Sequence, residues 1–198
     1  MSTDRIVGPI GAGSRSGKLV GVGGAWATIS TVTLTTNSSV DFDLSSTVYK
    51  DFQLRFYNVA VSAASESLHI LVSTNGGGAF LSAAYDWVGK GIEAGAVDTA
   101  HTGANVSQME IGRINSGSNV WGTDAGEGLS GYVDIFFPRD SELTNLGWRF
   151  WGNTAGNNPL TMHGGGFHTT EQDTTDIRLI PASGTFDGGI LELLGYRE

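Results

Sequence analysis

Glycine is the residue that most restricts what this chain can form. Thirty of the 198 residues are glycine, and only four are proline. Each glycine in a helix interior costs about 1 kcal/mol relative to alanine. The segment closest to a helical pattern, AAYDWVGKGIEAGA, contains three internal glycines. No segment keeps a helical period between glycines, so the sequence predicts a protein without a substantial helix.

Alternation of apolar and polar residues marks the segments that we expect to form strands. In VDFDL (40–44) apolar and acidic residues alternate, and in FQLRFY (52–57) every second residue is apolar. This period of two is typical of strands with one buried face. The same pattern predicts four more strands, which lie within 67–74, 131–138, 147–152 and 176–182.

Turn-forming compositions separate these strands. The segments TNGGGA, NSGSN, GNTAGNNP and HGGGFH are rich in Gly, Asn and Ser, and we predict that they are turns or loops. Many short strands joined by such turns are typical of antiparallel sandwiches. We therefore predict an all-β fold, an antiparallel two-sheet sandwich that is jelly-roll-like and carries an extended N-terminal arm.

The first residues differ from the remainder. GPIGAGSRSGKLVGVGG has no period and few bulky side chains, so we divide the chain into an extended arm (1–24) and a β-sandwich domain (25–198). Such an arm gains order by lying on another subunit or, alternatively, on its own sandwich. Its Arg15 and Lys18 are candidate interface residues. GAGSRSGKL is not a phosphate-binding loop, because alanine replaces its first glycine and leucine follows the lysine.

Composition argues against several classes of protein. The chain has no cysteine, which excludes disulfides, thiolate metal sites and cysteine nucleophiles. Eleven basic and twenty acidic residues give a net charge of -9, which would repel a phosphate backbone, so nucleic-acid binding is not expected. The sequence shows neither the apolar run of a membrane span nor a signal peptide at its start. We expect a protein kept in the cytoplasm or released by lysis.

The run MHGGGFH (162–168) suggests two kinds of functional site, an oxyanion hole and a metal site. His-Gly-Gly-Gly supplies oxyanion-hole amides in some lipases, but the nucleophile elbow Gly-x-Ser-x-Gly is missing, so no enzyme is predicted. His163 and His168 are secondary candidates for a shared metal, with Asp173 or Asp176 as a third ligand. We favour the interpretation that the run is a solvated polar loop, and we predict no metal and no cofactor.

Carboxylates give two further leads. Asp124 and Glu127 lie in a glycine loop that could hold calcium, although the ligand spacing of an EF-hand is missing. Asp41 and Asp43 share one strand face, as the paired acids of a glycosidase could. In a chain with twenty acidic residues we interpret both pairs as solvated surface.

Tryptophans are the main candidates for binding. In GWRFWG, alternation places Trp148 on one strand face and Trp151 on the other, so at least one large ring should lie away from the core. Exposed tryptophans serve subunit interfaces and sugar sites, and we favour an interface. The candidate interface or ligand residues are therefore Trp121, Trp148 and Trp151.

The end of the chain carries a resemblance to a known group of proteins. The segment IRLIPASGTFDGGILELLGY combines Arg178, Pro181, the turn Gly184–Phe186, a Gly-Gly pair and a final Gly195–Tyr196. We interpret it as a strand hairpin. It resembles the C-terminal hairpin of virion structural proteins of tailed bacteriophages, and the resemblance covers about the last 24 residues.

The resemblance implies a function and a set of partners. Such proteins include capsid decoration (cement) proteins and tail or fibre tip domains, which are typically sandwiches assembled as trimers. The implied partners are other copies of the chain and the major capsid protein or another virion protein, and the implied location is the capsid surface or the tail, after assembly in the host cytoplasm. We favour a decoration protein. The alternative is a tail-associated receptor-binding module that recognises a host surface glycan.

Overall fold

The computed structural model describes most of the chain as strands and the turns between them. The described residues are 24–63, 67–94, 99–111, 113–115, 118–119, 127–136, 138–139, 143–153 and 158–197. They contain fourteen strands and no helix, which confirms the predicted all-β class. Consequently, the described residues include no helix long and apolar enough to cross a membrane. Residues 1–23 of the predicted arm lie outside these ranges, and the first strand begins at Ala25.

The strands are numbered in chain order, and most of them belong to two antiparallel sheets. Their bounds are β1 Ala25–Thr33, β2 Val40–Asp43, β3 Asp51–Val61, β4 Leu68–Ser73, β5 Tyr85–Glu93, β6 Thr99–Val106, β7 Met109–Ile111, β8 Arg113–Asn115, β9 Ser118–Asn119, β10 Leu129–Phe136, β11 Asn145–Asn153, β12 Pro159–His168, β13 Asp176–Pro181 and β14 Phe186–Arg197. The large sheet has the order β1-β14-β3-β10-β11-β12-β5-β6, and the small sheet has the order β2-β13-β4-β7. The short strands β8 and β9 pair with each other.

Alternation in the sequence explains why these segments form strands with one buried face. In β3 the side chains of Phe52, Leu54 and Phe56 are buried, and the residues between them are more exposed. In β10 the odd-numbered residues from Leu129 to Ile135 are buried in the same way. Each fully buried Phe or Leu side chain stabilises the fold by about 1.5–3 kcal/mol. The two sheets pack together through these faces and form one core.

The pairing of the strands is that of a jelly roll. Four strands from the first part of the chain pair antiparallel with four from the second part, as β1 with β14, β2 with β13, β3 with β10 and β4 with β7. The chain therefore behaves as a long antiparallel ribbon that is rolled up, so that successive ribbon segments lie alternately in the large and small sheets. This is the double-sheet arrangement called a jelly roll.

Three hairpins are inserted into this roll. The pair β5–β6 follows β4, the pair β8–β9 follows β7, and the pair β11–β12 follows β10. The hairpins β11–β12 and β5–β6 extend the large sheet beyond the four strands that it contributes to the roll. We call these four added strands the overhang. The segment nearest to a helical pattern forms β5, because alternation rather than helix propensity decides its structure.

The predicted C-terminal hairpin is wrong. β13 pairs with β2 and β4 in the small sheet, whereas β14 pairs with β1 and β3 in the large sheet. The residues between them therefore cross from one sheet to the other. They run beside the connection from β3 to β4, where the Ser62 amide donates to the Thr185 carbonyl at 2.8 Å and the Ala182 amide donates to the Ser67 carbonyl at 2.9 Å.

The loop predicted for the triple-glycine run is also wrong, because that run lies within β12. The reason is packing of two indole rings against the inner face of the overhang. A Cβ atom on Gly164 would lie 2.5 Å from the ring of Trp148, and one on Gly166 would lie 2.7 Å from Cβ of Trp87. Only glycine leaves room for these rings beneath the strand. The predicted TNGGGA segment is a turn region, and residues 116–117 of NSGSN and 154–157 of GNTAGNNP lie outside the described residues.

Candidate binding face on the large sheet

The outward face of the large sheet carries a straight row of polar side chains, most of them basic, across five neighbouring strands. Cross-strand pairing aligns Arg55 of β3, Tyr132 of β10, Arg149 of β11, His163 of β12 and Lys90 of β5. Each alternates with buried neighbours, so all five side chains point away from the core. Strands lie about 4.8 Å apart, so this basic row is roughly 19 Å long.

The basic row concentrates positive charge on a protein whose net charge is -9. Arg149 and His163 are exposed, and neither has a hydrogen bond or an ion pair within the described part of the chain. Arg55 is held in place differently, because its Nε donates to Oε1 of Gln53 at 2.7 Å. Gln53 Nε2 in turn donates to Oδ1 of Asp134 at 2.7 Å. Arg55 is therefore oriented by neutral and acidic neighbours, whereas Arg149 faces solvent.

A carboxylate lies next to the Arg55 end of the basic row. Glu192 of β14 is the cross-strand partner of Arg55. The hydroxyl of Thr28 donates to one of its oxygens at 2.8 Å, and the hydroxyl of Tyr57 donates to the other at 2.9 Å. These hydrogen bonds, first that of Thr28 and then that of Tyr57, hold the pKa of Glu192 below its ordinary value, and the charge of Arg55 lowers it further. Glu192 therefore stays ionised at neutral pH and marks where the positive strip ends.

An aromatic pocket of about 490 Å³ lies beside the basic row. Its lining includes Trp151, Tyr132 and Tyr57, together with the polar groups of Arg55 and Gln53. The rings of Tyr132 and Trp151 meet edge to face, with centroids 6.5 Å apart and planes at 71°. Trp151 is 48% exposed and Tyr57 is 43% exposed, so both rings present surface to solvent. The pocket combines apolar ring faces with hydrogen-bond donors and acceptors.

A β-bulge shapes this pocket. The pairing of β3 with β10 shifts between Leu129 and Gly131. Opposite the shift, Asn58 has a positive φ of 50°, a conformation that asparagine adopts more readily than most residues. The Asn58 amide donates to Oγ of Ser130 at 2.9 Å, which fixes the bulged backbone. Ser130 and Gly131 at this bulge line the aromatic pocket.

Two further depressions lie on the overhang, on the same face. One of about 420 Å³ is lined by Val88, Lys90, His163 and neighbouring backbone. Another of about 520 Å³ adjoins it, shares Val88 and Gly165 with it, and reaches Phe167. Together they form a shallow trough over β12 where the triple glycine lacks side chains. One end of this trough carries Lys90 and His163, and the other carries Phe167 and Asp86.

The structure places the two tryptophans of GWRFWG on opposite faces of the large sheet. Trp148 is only 5% exposed and lies in the core, so its prediction as an interface or ligand residue is wrong. Its ring fills the inner side of the overhang because Gly164 and Gly89 leave space there. Trp151 points to the opposite face and lines the aromatic pocket. Trp121, Arg15 and Lys18 lie outside the described residues.

The two histidines considered as metal ligands lie on opposite faces of β12. Five residues separate them, and an odd separation reverses the side-chain direction in a strand. His163 is exposed, whereas His168 is buried, and its ring meets the Tyr85 ring edge to face at 4.9 Å. Among the described residues, no three His, Asp or Glu side chains converge as metal ligands. His163 and His168 therefore do not share a metal, and His163 belongs to the basic row.

Asp41 and Asp43 share the exposed face of β2, as predicted, and each has its own local partner. Asp41 binds Arg178 with two hydrogen bonds of 2.7 Å on the small sheet, which gives it a structural role. The pKa of Asp43 is lowered, first by the Ser45 side-chain hydrogen bond and then by the Ser45 amide, whose distance to Oδ1 is 2.6 Å. Asp124 lies outside the described residues, and Glu127 is buried.

Sequence reasoning missed most of the binding face. Arg55 and Arg149 lie at polar positions of alternating segments, so their outward direction could have been inferred. Their alignment with Lys90 depends on the register of five strands that are scattered along the chain. The face offers cations, hydroxyls and exposed rings in one plane, which suits binding of anionic and ring-shaped groups.

No family model matches the chain, and neither the curated proteins nor the solved structures include a match to it. The fold and the face define it as a jelly-roll sandwich whose large sheet has a mixed basic and aromatic outward face.

Proposed function

We propose that this protein is a virion structural protein of a tailed bacteriophage, and that it acts as a capsid decoration (cement) protein. The residue pattern at the C-terminal end supports the phage assignment, although its two strands lie in different sheets. The jelly roll is a fold that viral capsid domains use. In this proposal the outward face of the large sheet lies on the capsid lattice. We expect the protein to assemble as a homotrimer, which light scattering would report as three times the monomer mass.

The observation that carries this proposal is the distribution of exposed apolar side chains. Nine large hydrophobic residues are exposed among the described ones, and seven of them share the outward face of the large sheet. These seven are Trp26, Tyr57, Val88, Ile92, Phe136, Trp151 and Ile190. Contiguous apolar surface rimmed by polar groups marks protein interaction sites. A decoration protein needs such a face, because its attachment energy comes from area buried on the capsid.

Two matched substitutions test the docking face. Val88 lies on the face and Val48 lies in a loop away from it, and both are 52% exposed. We expect Val88→Glu to lower the occupancy of capsids at least tenfold, because docking would have to desolvate a carboxylate in place of an apolar side chain. Val48→Glu makes the same change of charge and should leave occupancy unchanged. Equal occupancy of the two variants on purified capsids would contradict the proposed docking face.

The aromatic pocket favours a second candidate function, a tail-associated receptor-binding module for a host surface glycan. Sugar rings stack on exposed aromatic faces and use neighbouring polar groups for orientation. We expect Trp151→Ala to lower phage adsorption to host cells without changing incorporation into particles. Trp26→Ala is the matched control, because Trp26 is 41% exposed on the same face but lies on β1, away from the pocket. Loss of incorporation with unchanged adsorption per particle would favour the decoration protein instead.

A further inference from the structure

The basic row and the aromatic pocket form one continuous surface. Arg55 and Tyr132 belong to both, and Trp151 lies on the same strand as Arg149, two residues away. From this shared corner the row continues through His163 to Lys90, across the strands. A ligand that fills the pocket and extends toward β5 would therefore meet Arg149, His163 and Lys90 in turn.

The cations of the row differ in their partners. Arg55 is held by Gln53 and has Glu192 as its cross-strand partner, whereas Arg149 is exposed. On the small sheet, by contrast, Arg178 binds Asp41 through Nε and Nη2 of its guanidinium group. No described residue gives Arg149 such a partner. An anionic ligand would give Arg149 the charge-assisted hydrogen bonds that no described residue supplies.

The position of the row within the sheet limits the kind of ligand. β10, β11 and β12 are interior strands, and their backbone amides are used in the ladders on both sides. A peptide lying across them would find few backbone partners for its own amides and carbonyls. A sugar polymer needs ring faces and side-chain hydrogen-bonding groups, and this surface supplies both.

We infer that the outward face binds an acidic glycan, with one sugar ring on Trp151 in the aromatic pocket and anionic groups along Arg149, His163 and Lys90. The inference deepens the second candidate function above and rests on it. The shared ligand chemistry is a chain of sugars that bears carboxylate or sulfate groups. Arginine and lysine bind both kinds of anion through charge-assisted hydrogen bonds.

Titration calorimetry with three glycans and one peptide tests the inference on the full chain. The probes are oligogalacturonate, which bears carboxylates, dextran sulfate, neutral dextran and polyglutamate. We expect binding to at least one anionic glycan that weakens with added salt, because exposed charges are screened. The two anionic glycans distinguish a carboxylate site from a sulfate site. We expect neutral dextran and polyglutamate to bind at least tenfold more weakly.

Matched variants locate the site. We expect Arg149→Gln combined with Lys90→Gln to weaken binding of the preferred anionic glycan about tenfold or more, and Trp151→Ala to weaken it several-fold. Arg149→Lys should restore much of the loss due to Arg149→Gln. Arg197→Gln is the control, since Arg197 is an exposed cation on β14 whose guanidinium lies over Tyr49, away from the row. It should change affinity less than twofold.

The outcomes separate this inference from the function on which it rests. If neutral dextran binds as tightly as the anionic glycans, and the charge variants change nothing, the acidic specificity is wrong and a glycan site remains. If polyglutamate binds more tightly than either anionic glycan, the partner is an acidic protein and the inference is overturned. If neither anionic glycan binds, the inference is overturned as well, and if neutral dextran also fails to bind, the glycan function loses its support.

Discussion

At the scale of single residues, two glycines of β12 leave space for the side chains of Trp148 and Trp87 in the overhang. A Cβ atom on Gly164 would lie 2.5 Å from both the Trp148 ring and the carbonyl oxygen of Val88. We expect Gly164→Ala to lower the free energy of unfolding by about 1–3 kcal/mol, because the ring or the strand must move. Gly147→Ala is the control, since a Cβ atom there meets nothing within 4 Å. Urea denaturation of both variants measures the difference, and equal stabilities would contradict this account of the triple glycine.

Tyr85 joins the overhang to the small sheet. Its hydroxyl accepts a hydrogen bond from the Val72 amide at 2.9 Å and donates one to the Leu81 carbonyl at 3.0 Å. Burial raises the pKa of Tyr85 to about 12, against an ordinary value of 10.0. The folded protein therefore keeps a proton that the unfolded chain loses, so the stability due to this group is complete below pH 10 and falls between pH 10 and 12.

Replacing Tyr85 tests this linkage. We expect Tyr85→Phe to destabilise the protein at pH 7 by about 1–3 kcal/mol, because the buried Val72 amide loses its acceptor. The same variant should lose less stability than the wild type between pH 10 and 12. Thermal unfolding followed by circular dichroism at several pH values measures both effects. A wild-type curve that falls no more steeply than that of the variant would show that Tyr85 is not the responsible group.

At the scale of elements, the crossing between β13 and β14 contains a glycine whose substitution should lower the stability of the fold. Gly184 in this crossing has a φ of +70°, and a Cβ atom there would lie 2.6 Å from Oγ of Ser62. We expect Gly184→Ala to cost about 1–2 kcal/mol of stability, because other residues resist this conformation. Gly188→Ala, where a Cβ atom meets nothing within 4 Å, should cost much less. Chemical denaturation distinguishes the two, and a neutral Gly184→Ala would contradict the geometry of the crossing.

The sequence could reveal the strands but not their partners. The period of two located β2, β3, β4, β10, β11 and β13, because alternation is a local property of one segment. The turn between β13 and β14 has the same Ser-Gly composition whether the chain folds back in one sheet or crosses to another, so the hairpin prediction failed. The part of β12 from 163 to 168 is predicted as a loop because its glycines carry no side chains to show alternation. Trp87 and Trp148, whose side chains explain these glycines, are distant in sequence.

The candidate site was predictable only in fragments for the same reason. Alternation within GWRFWG was sufficient to place one large ring away from the core, and Trp151 is that ring. The basic row requires the registers of β3, β10, β11, β12 and β5 together, and a one-residue slip in any of them would turn its side chain inward. Register is set by pairing between distant segments, which a single sequence does not display.

At the scale of the whole molecule, the roll closes only when the two ends of the described chain meet. Ala25 pairs with Arg197, and β14 must enter the sheet between β1 and β3. Contacts between such distant residues are slow to form, because their entropy is lost before they stabilise the fold. We expect refolding after dilution from denaturant to take about a second or longer, as followed by tryptophan fluorescence. Complete recovery of native fluorescence within about a millisecond would contradict a closing step of this kind.

The inserted hairpins have a consequence for how this protein can evolve. Arg149, His163, Lys90 and Trp151 all lie on β11, β12 and β5, outside the eight strands of the roll. The roll supplies the paired ribbon on which folding depends, whereas these hairpins extend one edge of a completed sheet. Substitutions at their outward positions change the charge and shape of the face without touching the ribbon. A lineage carrying this architecture can therefore alter the chemistry of this surface by drift in two hairpins while its scaffold stays the same.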